Sequence, residues 1–153
     1  MLSKTHLLAG IVVGLIIVAL FPIKNPVVFL FVFLFATLLP DVDTPHSKIG
    51  RKVKPLAWLL QFTFGHRGFV HSIWLPLAFF VFSWYVGYIE LGFAVLTGYI
   101  LHLIVDALTL GGVKFFGMGK RTKGLIRTGS MAEVGVYLLL FAALFWVLKT
   151  FYF

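Results

Sequence analysis

The chain has 153 residues, enough for one domain, and we expect a single membrane-embedded unit over residues 1–153. It is 61% hydrophobic and only 12% charged, whereas a soluble domain has about 25% charged residues. This composition excludes an ordinary water-soluble domain and makes lipid the expected surroundings. The absence of cysteine excludes disulfides and thiolate metal sites. The net charge of +8 fits either nucleic acid or anionic lipid as a partner.

Apolar segments predict the membrane-spanning helices, because a spanning helix needs about 20 residues. The first segment lacks a small-residue cleavage site, so we interpret it as a retained helix and not as a signal peptide. The second is short and has phenylalanine at alternate positions, but an open strand in lipid would leave its backbone unpaired. We therefore predict an all-α, polytopic transmembrane helix bundle of about five spans. The predicted spans are 5–21, 26–40, 71–89, 91–110 and 131–151.

Two long polar loops, 41–70 and 111–130, separate these segments. Within the first loop, 53–64 has the composition of a short interfacial helix. With five spans, both loops and the amino terminus lie on one side and hold most of the 13 basic residues. The positive-inside rule then predicts a prokaryotic inner-membrane protein with a cytoplasmic amino terminus and an external carboxyl terminus.

The histidines and most of the carboxylates fall on this same predicted face, although the topology was derived from lysine and arginine alone. Glu90 is the exception and lies on the opposite side. The candidate ligands and catalytic residues on the cytoplasmic face are His6, Asp41, Asp43, His66, His71, His102, Asp106 and Glu133. The fifth histidine, His46, lies in the first long loop and has no role that we can assign.

Spacing explains why these residues predict a metal site. His102 and Asp106 are four residues apart and share one helical face. Ionisable groups inside a membrane are costly, and a bound cation offsets that cost. Asp41 and Asp43 repel each other unless a cation lies between them. Mixed histidine and aspartate ligation suits zinc best, with manganese or iron as alternatives. We expect two divalent ions, an arrangement common in the hydrolysis of phosphate esters.

Several short motifs lie in order along nearly the whole chain. They are His6-x3-Gly10, Leu38-Leu39-Pro40-Asp41-Val42-Asp43, Ser47 with Gly50-Arg51, Gly65-His66-Arg67-Gly68-x2-His71-Ser72, Leu101-His102-x3-Asp106-x2-Thr109-x2-Gly112 and Thr128-Gly129-Ser130-x2-Glu133. Together they resemble the YdjM-type family. The family is described as membrane-bound, metal-dependent hydrolases, so the resemblance implies a metal site and a hydrolytic reaction. A looser similarity to zinc-dependent phospholipase C suggests His6, Asp41, His66, His71, His102 and Asp106 as ligands.

Each of these residues also has a purely structural interpretation. His102 and Asp106 could form a buried hydrogen bond, and His6 could cap the first helix. Glu133 could neutralise a helix amino terminus or serve as a general base or further ligand. Arg67 could bind a substrate phosphate or contact lipid headgroups.

The preferred hypothesis is an integral membrane hydrolase that cleaves a phosphoester of a lipid or another phosphorylated substrate. In this hypothesis Glu133 or Asp43 accepts a proton and Arg67 stabilises phosphate charge. The alternative is a non-catalytic metal-binding membrane protein or a cation transporter. Specific nucleic-acid binding is not expected, because the basic loops lack an aromatic pattern for base stacking.

Overall fold

The computed structural model describes residues 1–43, 71–117 and 119–153, without the side chains of Val42 and Asp43. A short 3-10 helix, Leu39–Asp43, follows the second α-helix directly. The described residues form isolated β-bridges and no β-strand. The all-α prediction is thus confirmed. The α-helices are α1 (Ser3–Leu20), α2 (Pro26–Leu38), α3 (Trp74–Tyr85), α4 (Ile89–Ala107) and α5 (Met131–Phe151).

Helices α1, α4 and α5, with 18, 19 and 21 residues, are long and apolar enough to cross a membrane. Helices α2 and α3 are apolar but shorter, with 13 and 12 residues. At about 1.5 Å per residue, α3 is only about 18 Å long. The predicted segment 71–89 is longer than α3, since Gly87 adopts a φ of 85° that ends the helical geometry. The predicted interfacial helix at 53–64 lies outside the described residues.

The helices alternate in direction, so five helix ends meet at one end of the bundle. There the hydroxyl of Thr5 near the start of α1 donates to Glu133 near the start of α5, at 2.8 Å. The end of α2 meets the second half of α4, where Thr37 and His102 are hydrogen-bonded. At the opposite end, the backbone N–H of Lys24 donates to a carboxylate oxygen of Glu90 at 3.3 Å. This arrangement matches the predicted antiparallel order of segments.

Helix α4 is central, because it packs against α2 on one side and against α3 on the other. Glycine makes the approach to α2 possible. A Cβ atom added at Gly98 would collide with the Phe33 carbonyl oxygen and lie 3.2 Å from Oγ1 of Thr37. Small residues commonly allow such close contacts between membrane helices. Since Gly98 is one helical turn before His102, this contact also sets how near His102 lies to α2.

The outer surface of the bundle is apolar. Side chains such as Tyr85 on α3 and Leu139 and Phe145 on α5 are exposed by 89%, 72% and 69%. Buried polar side chains instead concentrate where the five helix ends meet, with Ser83 as an exception. An apolar exterior around a polar interior at one end is the distribution expected of a helix bundle in lipid.

The chain after α4 folds back over this polar end. Thr109 pairs with Ile126 and Val113 with Thr122 in isolated bridges, and the Val113 pair exchanges two backbone hydrogen bonds of 2.9 Å. The N–H of Ile73, just before α3, donates to the carbonyl of Phe115 in the same segment. These bonds join the start of α3 to the end of α4 beside the buried polar residues.

We predict that Gly98→Ala destabilises the protein by about 1–3 kcal/mol, because the added methyl group forces α4 away from the backbone of α2. The matched control is Gly135→Ala on α5, where an added Cβ has no atom within 4 Å among the described residues. The control should leave stability unchanged or slightly raised, as alanine favours helix. Thermal unfolding in detergent measures both; equal melting temperatures for the two variants would contradict the close approach.

Candidate metal centre

Five of the predicted ligands lie together where the helix ends meet. They form two overlapping groups of three residues, and within each group the ligand atoms lie within 4.8 Å of one another. One group is His6, His102 and Asp106, all buried. The other is Asp41, His71 and His102, of which Asp41 is half-buried. Residues from α1, α4 and the flanks of α2 and α3 therefore converge, as the topology predicted.

The first group has the spacing of a metal coordination shell. The Nε2 atom of His6 lies 3.4 Å from Oδ1 of Asp106, and Nε2 of His102 lies 3.6 Å from Oδ2. Zinc bonds of about 2.0–2.1 Å in tetrahedral geometry place neighbouring ligand atoms about 3.3–3.4 Å apart. The rings of His6 and His102 are stacked, with centroids 4.2 Å apart. Both imidazoles thus present Nε2 to the same carboxylate.

The other ring nitrogens face backbone carbonyls, which fixes the tautomer that each histidine favours. Nδ1 of His102 lies 2.9 Å from the Thr37 carbonyl, and Nδ1 of His6 lies 3.3 Å from the Leu2 carbonyl. A carbonyl only accepts, so each Nδ1 carries the proton and each Nε2 keeps its lone pair. Within the described part of the chain, both buried Nε2 atoms have no hydrogen-bond partner. An imidazole that donates from one ring nitrogen to a carbonyl and leaves the other nitrogen free to bind is typical of metal ligands.

The Thr37 carbonyl is available because of the way α2 ends. The last four carbonyls of a helix have no partner within the helix. Thr37 is in this last turn, and its own hydroxyl donates back to the Phe33 carbonyl at 2.9 Å. The imidazole of His102 supplies the missing donor to the Thr37 carbonyl.

The second group extends the cluster toward the side of Asp41. The rings of His71 and His102 meet edge to face, with centroids 5.5 Å apart. His102 belongs to both groups, yet its Nδ1 is engaged with Thr37, so only Nε2 is available as a ligand. One lone pair binds one ion. Two simultaneous ions would therefore share these five residues unequally, because His102 could serve only one of the ions.

A positive charge already lies against Asp106. The ammonium group of Met1 is 2.6 Å from Oδ1 and is buried with it. This contact illustrates the electrostatic requirement of the position, because a buried carboxylate needs a cation or several hydrogen-bond donors beside it.

Glu133 is buried at the start of α5, but its oxygens are already engaged. Oε1 accepts from the N–H of Leu2 at 2.6 Å and from the hydroxyl of Thr5 at 2.8 Å, and Oε2 accepts from the N–H of Gly129 at 2.7 Å. Of the roles that the sequence left open for Glu133, this geometry favours neutralisation of a helix amino terminus. The spacing of Ser130 and Glu133 is that of a capping box, although the Glu133 carboxylate accepts from the N–H of Gly129 and not from that of Ser130.

Several predicted site residues lie outside the described part of the chain. They are His66, Arg67 and the side chain of Asp43. Conversely, Thr37 and Thr5 hold the site together and were not predicted from the sequence. Thr37 is four residues before Asp41, a spacing that places it in the last turn of α2, and Thr5 directly precedes His6.

Helices of membrane-spanning length, an apolar exterior and a buried histidine–aspartate cluster define a membrane protein with a candidate metal centre. Comparison with known proteins gives the family. The profile described as YdjM inner membrane protein matches residues 1–151, and the chain belongs to that family.

Relatives are found in several bacteria. The chain is 32% identical over 137 residues to "Uncharacterized protein YvsG" of Bacillus subtilis, covering 87% of this chain and 85% of that protein. It is 39% identical over 83 residues to "Inner membrane protein YdjM" of Escherichia coli and of Shigella flexneri. Those matches cover 50% of this chain and 42% of each relative. No solved structure matches. Family and composition together support a location in a membrane.

We predict that Asp106→Asn and His102→Ala each weaken zinc binding at least about 100-fold. Each removes a candidate ligand from the buried group. Changes to residues that only orient a ligand cost up to about 100-fold, and loss of a ligand itself should cost at least as much. Glu90→Gln, an acid-to-amide change at the opposite end of the bundle, is the matched control and should bind zinc like the unaltered protein. Competition with a chromophoric chelator measures all three, and an unchanged affinity in Asp106→Asn would exclude the buried group as the site.

Proposed function

We propose that this protein is an integral membrane hydrolase that uses a divalent metal to cleave a phosphoester. The observation that carries the proposal is the pair of buried imidazole Nε2 atoms aimed at the carboxylate of Asp106, at 3.4 and 3.6 Å. The Met1 ammonium offsets part of the cost of burying Asp106, but it gives neither Nε2 atom a partner. A divalent cation bound between the imidazoles and the carboxylate would satisfy all three groups.

The donor set fits a borderline metal ion. With no cysteine in the chain, ligands are imidazole nitrogen and carboxylate oxygen, which suit zinc first and manganese or iron next. The fixed Nδ1–H tautomers of His6 and His102 leave both Nε2 atoms ready to bind. The second group, at Asp41 and His71, supports a second ion or a wider shell around one ion.

Reactivity belongs on the side of Asp41. His6, His102 and Asp106 are buried, whereas Asp41 is half-buried and so marks the more open edge of the cluster. A divalent ion bound here supplies Lewis acidity, which polarises a phosphoryl oxygen and lowers the pKa of water. As in the hypothesis from the sequence, Asp43 is the proposed proton acceptor and Arg67 the proposed partner of the substrate phosphate.

A lipid headgroup is the preferred substrate, because the cluster lies where helix ends reach the membrane surface. The exposed Lys123 and Arg121 belong to the loop on that side, and cationic loops attract anionic headgroups. The same charges underlie the proposed orientation, with the cluster and the amino terminus at the cytoplasmic face.

A non-catalytic metal site is the second candidate, and the depth of the first group favours it. His6 and His102 have no exposed surface and Asp106 is 2% exposed. Structural metal sites have a closed ligand shell, whereas catalytic sites keep an open position. The two functions therefore differ in whether the Asp41 edge admits substrate.

To test the proposal, the purified protein is loaded with zinc or manganese and assayed on phosphatidic acid, other phospholipids and a chromogenic phosphodiester. We expect metal-dependent turnover that a chelator abolishes and that Asp41→Asn lowers by at least about tenfold, if this carboxylate touches substrate or metal. The matched control is again Glu90→Gln, with unchanged turnover. Tight metal binding without turnover of any ester would favour the structural site.

Orientation is tested with single cysteines, which the cysteine-free chain permits without further changes. Lys149→Cys, near the end of α5, should react with an impermeant maleimide in intact spheroplasts. Lys123→Cys, in the loop before α5, should react only after the membrane is opened. Both positions are exposed, so accessibility depends on the side of the membrane. The opposite labelling pattern would reverse the proposed topology.

A further inference from the structure

We infer that Glu133 is a positioning residue that holds the candidate metal ligand His6 in place through Leu2 and Thr5. The inference rests on the metal site of the proposed function but not on hydrolysis. It assigns to α5, which contributes no ligand to either candidate group, a defined role in building the site.

The first step is that most of the acceptor capacity of the Glu133 carboxylate is used within the protein. Its two oxygens accept three hydrogen bonds of 2.6, 2.8 and 2.7 Å from Leu2, Thr5 and Gly129. The side chain is only 2% exposed. An ionised carboxylate has about four lone-pair positions, so three of them are directed at donors of the protein itself. Two of these three donors belong to the start of α1.

The second step connects these donors to His6. The N–H of Leu2 donates to Glu133, and the carbonyl of the same residue faces Nδ1 of His6 at 3.3 Å. Thr5, the neighbour of His6 in sequence, donates its hydroxyl to the same Oε1 atom. Glu133 thus fixes Leu2, whose carbonyl orients the imidazole, and Thr5, which directly precedes His6. With Nδ1 held by a carbonyl, Nε2 faces Asp106.

The third step explains why this position needs a carboxylate. Three donors converge on it, and glutamine offers a single acceptor oxygen in place of two. In Glu133→Gln the amide NH2 group would face either Gly129 or the pair of Leu2 and Thr5. In the first orientation the bond from the exposed Gly129 is lost, and in the second the bonds from Leu2 and Thr5 are lost. In both, the bonds that remain lose the carboxylate charge that strengthens them. The start of α1 should then shift or loosen, and His6 with it.

The docking of α1 onto α5 has other supports, so Glu133→Gln is expected to fold. The ammonium of Lys4 lies 5.4 Å from the centre of the Tyr137 ring. Near the far end of the pair, the hydroxyl of Tyr152 donates to the Leu15 carbonyl at 3.0 Å. Loss of the Glu133 acceptor should therefore act locally, at the end that carries His6.

The experiment compares Glu133→Gln with Thr5→Val, which removes one donor but leaves the bonds from Leu2 and Gly129. Zinc affinity is measured by chelator competition, and the visible spectrum of the cobalt-substituted protein reports ligand geometry. We expect Glu133→Gln to bind zinc about 10- to 100-fold more weakly, as for other residues that orient a ligand, with an altered cobalt spectrum. Thr5→Val, which loses one of the two bonds to the start of α1, should show a smaller change in the same direction, and the control Glu90→Gln should match the unaltered protein in both. Unchanged affinity and spectrum in Glu133→Gln would overturn the inference.

A second measurement needs no variant and no metal. Nitrogen-15 NMR of the metal-free protein should show His6 protonated at Nδ1, with the Leu2 amide protected from hydrogen exchange. A His6 protonated at Nε2, or a rapidly exchanging Leu2 amide, would overturn the inference even if Glu133→Gln failed to fold. If Glu133→Gln weakens zinc binding in a protein that cleaves no phosphoester, the inference is supported and the proposed hydrolase is contradicted.

Discussion

The structure depends on holding two imidazoles and a carboxylate in an apolar bundle. His6, His102 and Asp106 meet with almost no exposure to solvent, inside helices whose outer surface is apolar. A buried carboxylate without a compensating charge would destabilise the bundle strongly. The Met1 ammonium supplies one such charge, 2.6 Å from Oδ1 of Asp106. On the proposal above, a divalent ion would supply another, and folding and metal binding would then be linked.

The rest of the fold can be understood as the support of this cluster. Gly98 lets α4 approach α2 closely enough for His102 to reach the Thr37 carbonyl. That carbonyl lies in the last turn of α2 and can therefore accept from His102. The end of α2 also places Asp41 beside the cluster. On the other side, Glu133 fixes the start of α1. The contacts of His102 with Thr37 and of Glu133 with Leu2 use helix termini, where backbone groups lack partners within the helix.

Much of this arrangement could be predicted from the sequence. The predicted segment for α5 has the bounds of the observed helix, Met131–Phe151, because apolar length determines it. The convergence of His6, His102 and Asp106 followed from the placement of lysine and arginine, since alternating helices bring every second loop to the same side. The length of α3 was overestimated, as hydropathy does not register the positive φ of Gly87.

Other features depend on atomic geometry that no residue pattern contains. The sequence does not say which imidazole nitrogen faces a carbonyl, so the sharing of His102 between two ligand groups became visible only in three dimensions. The role of Glu133 was left open for the same reason: the Ser130-x2-Glu133 spacing fits a helix cap, but the donors from Leu2 and Thr5 are more than a hundred residues away in sequence.

The central claim, that a divalent metal joins these buried side chains, is tested most directly by X-ray absorption at the metal edge. The protein would be purified from membranes without chelators, with metal content determined on the same sample. The account predicts bound zinc, manganese or iron with nitrogen and oxygen ligands, including imidazole, and for zinc a distance of about 2.0–2.1 Å. A folded protein that retains no divalent ion and takes none up on titration would contradict it.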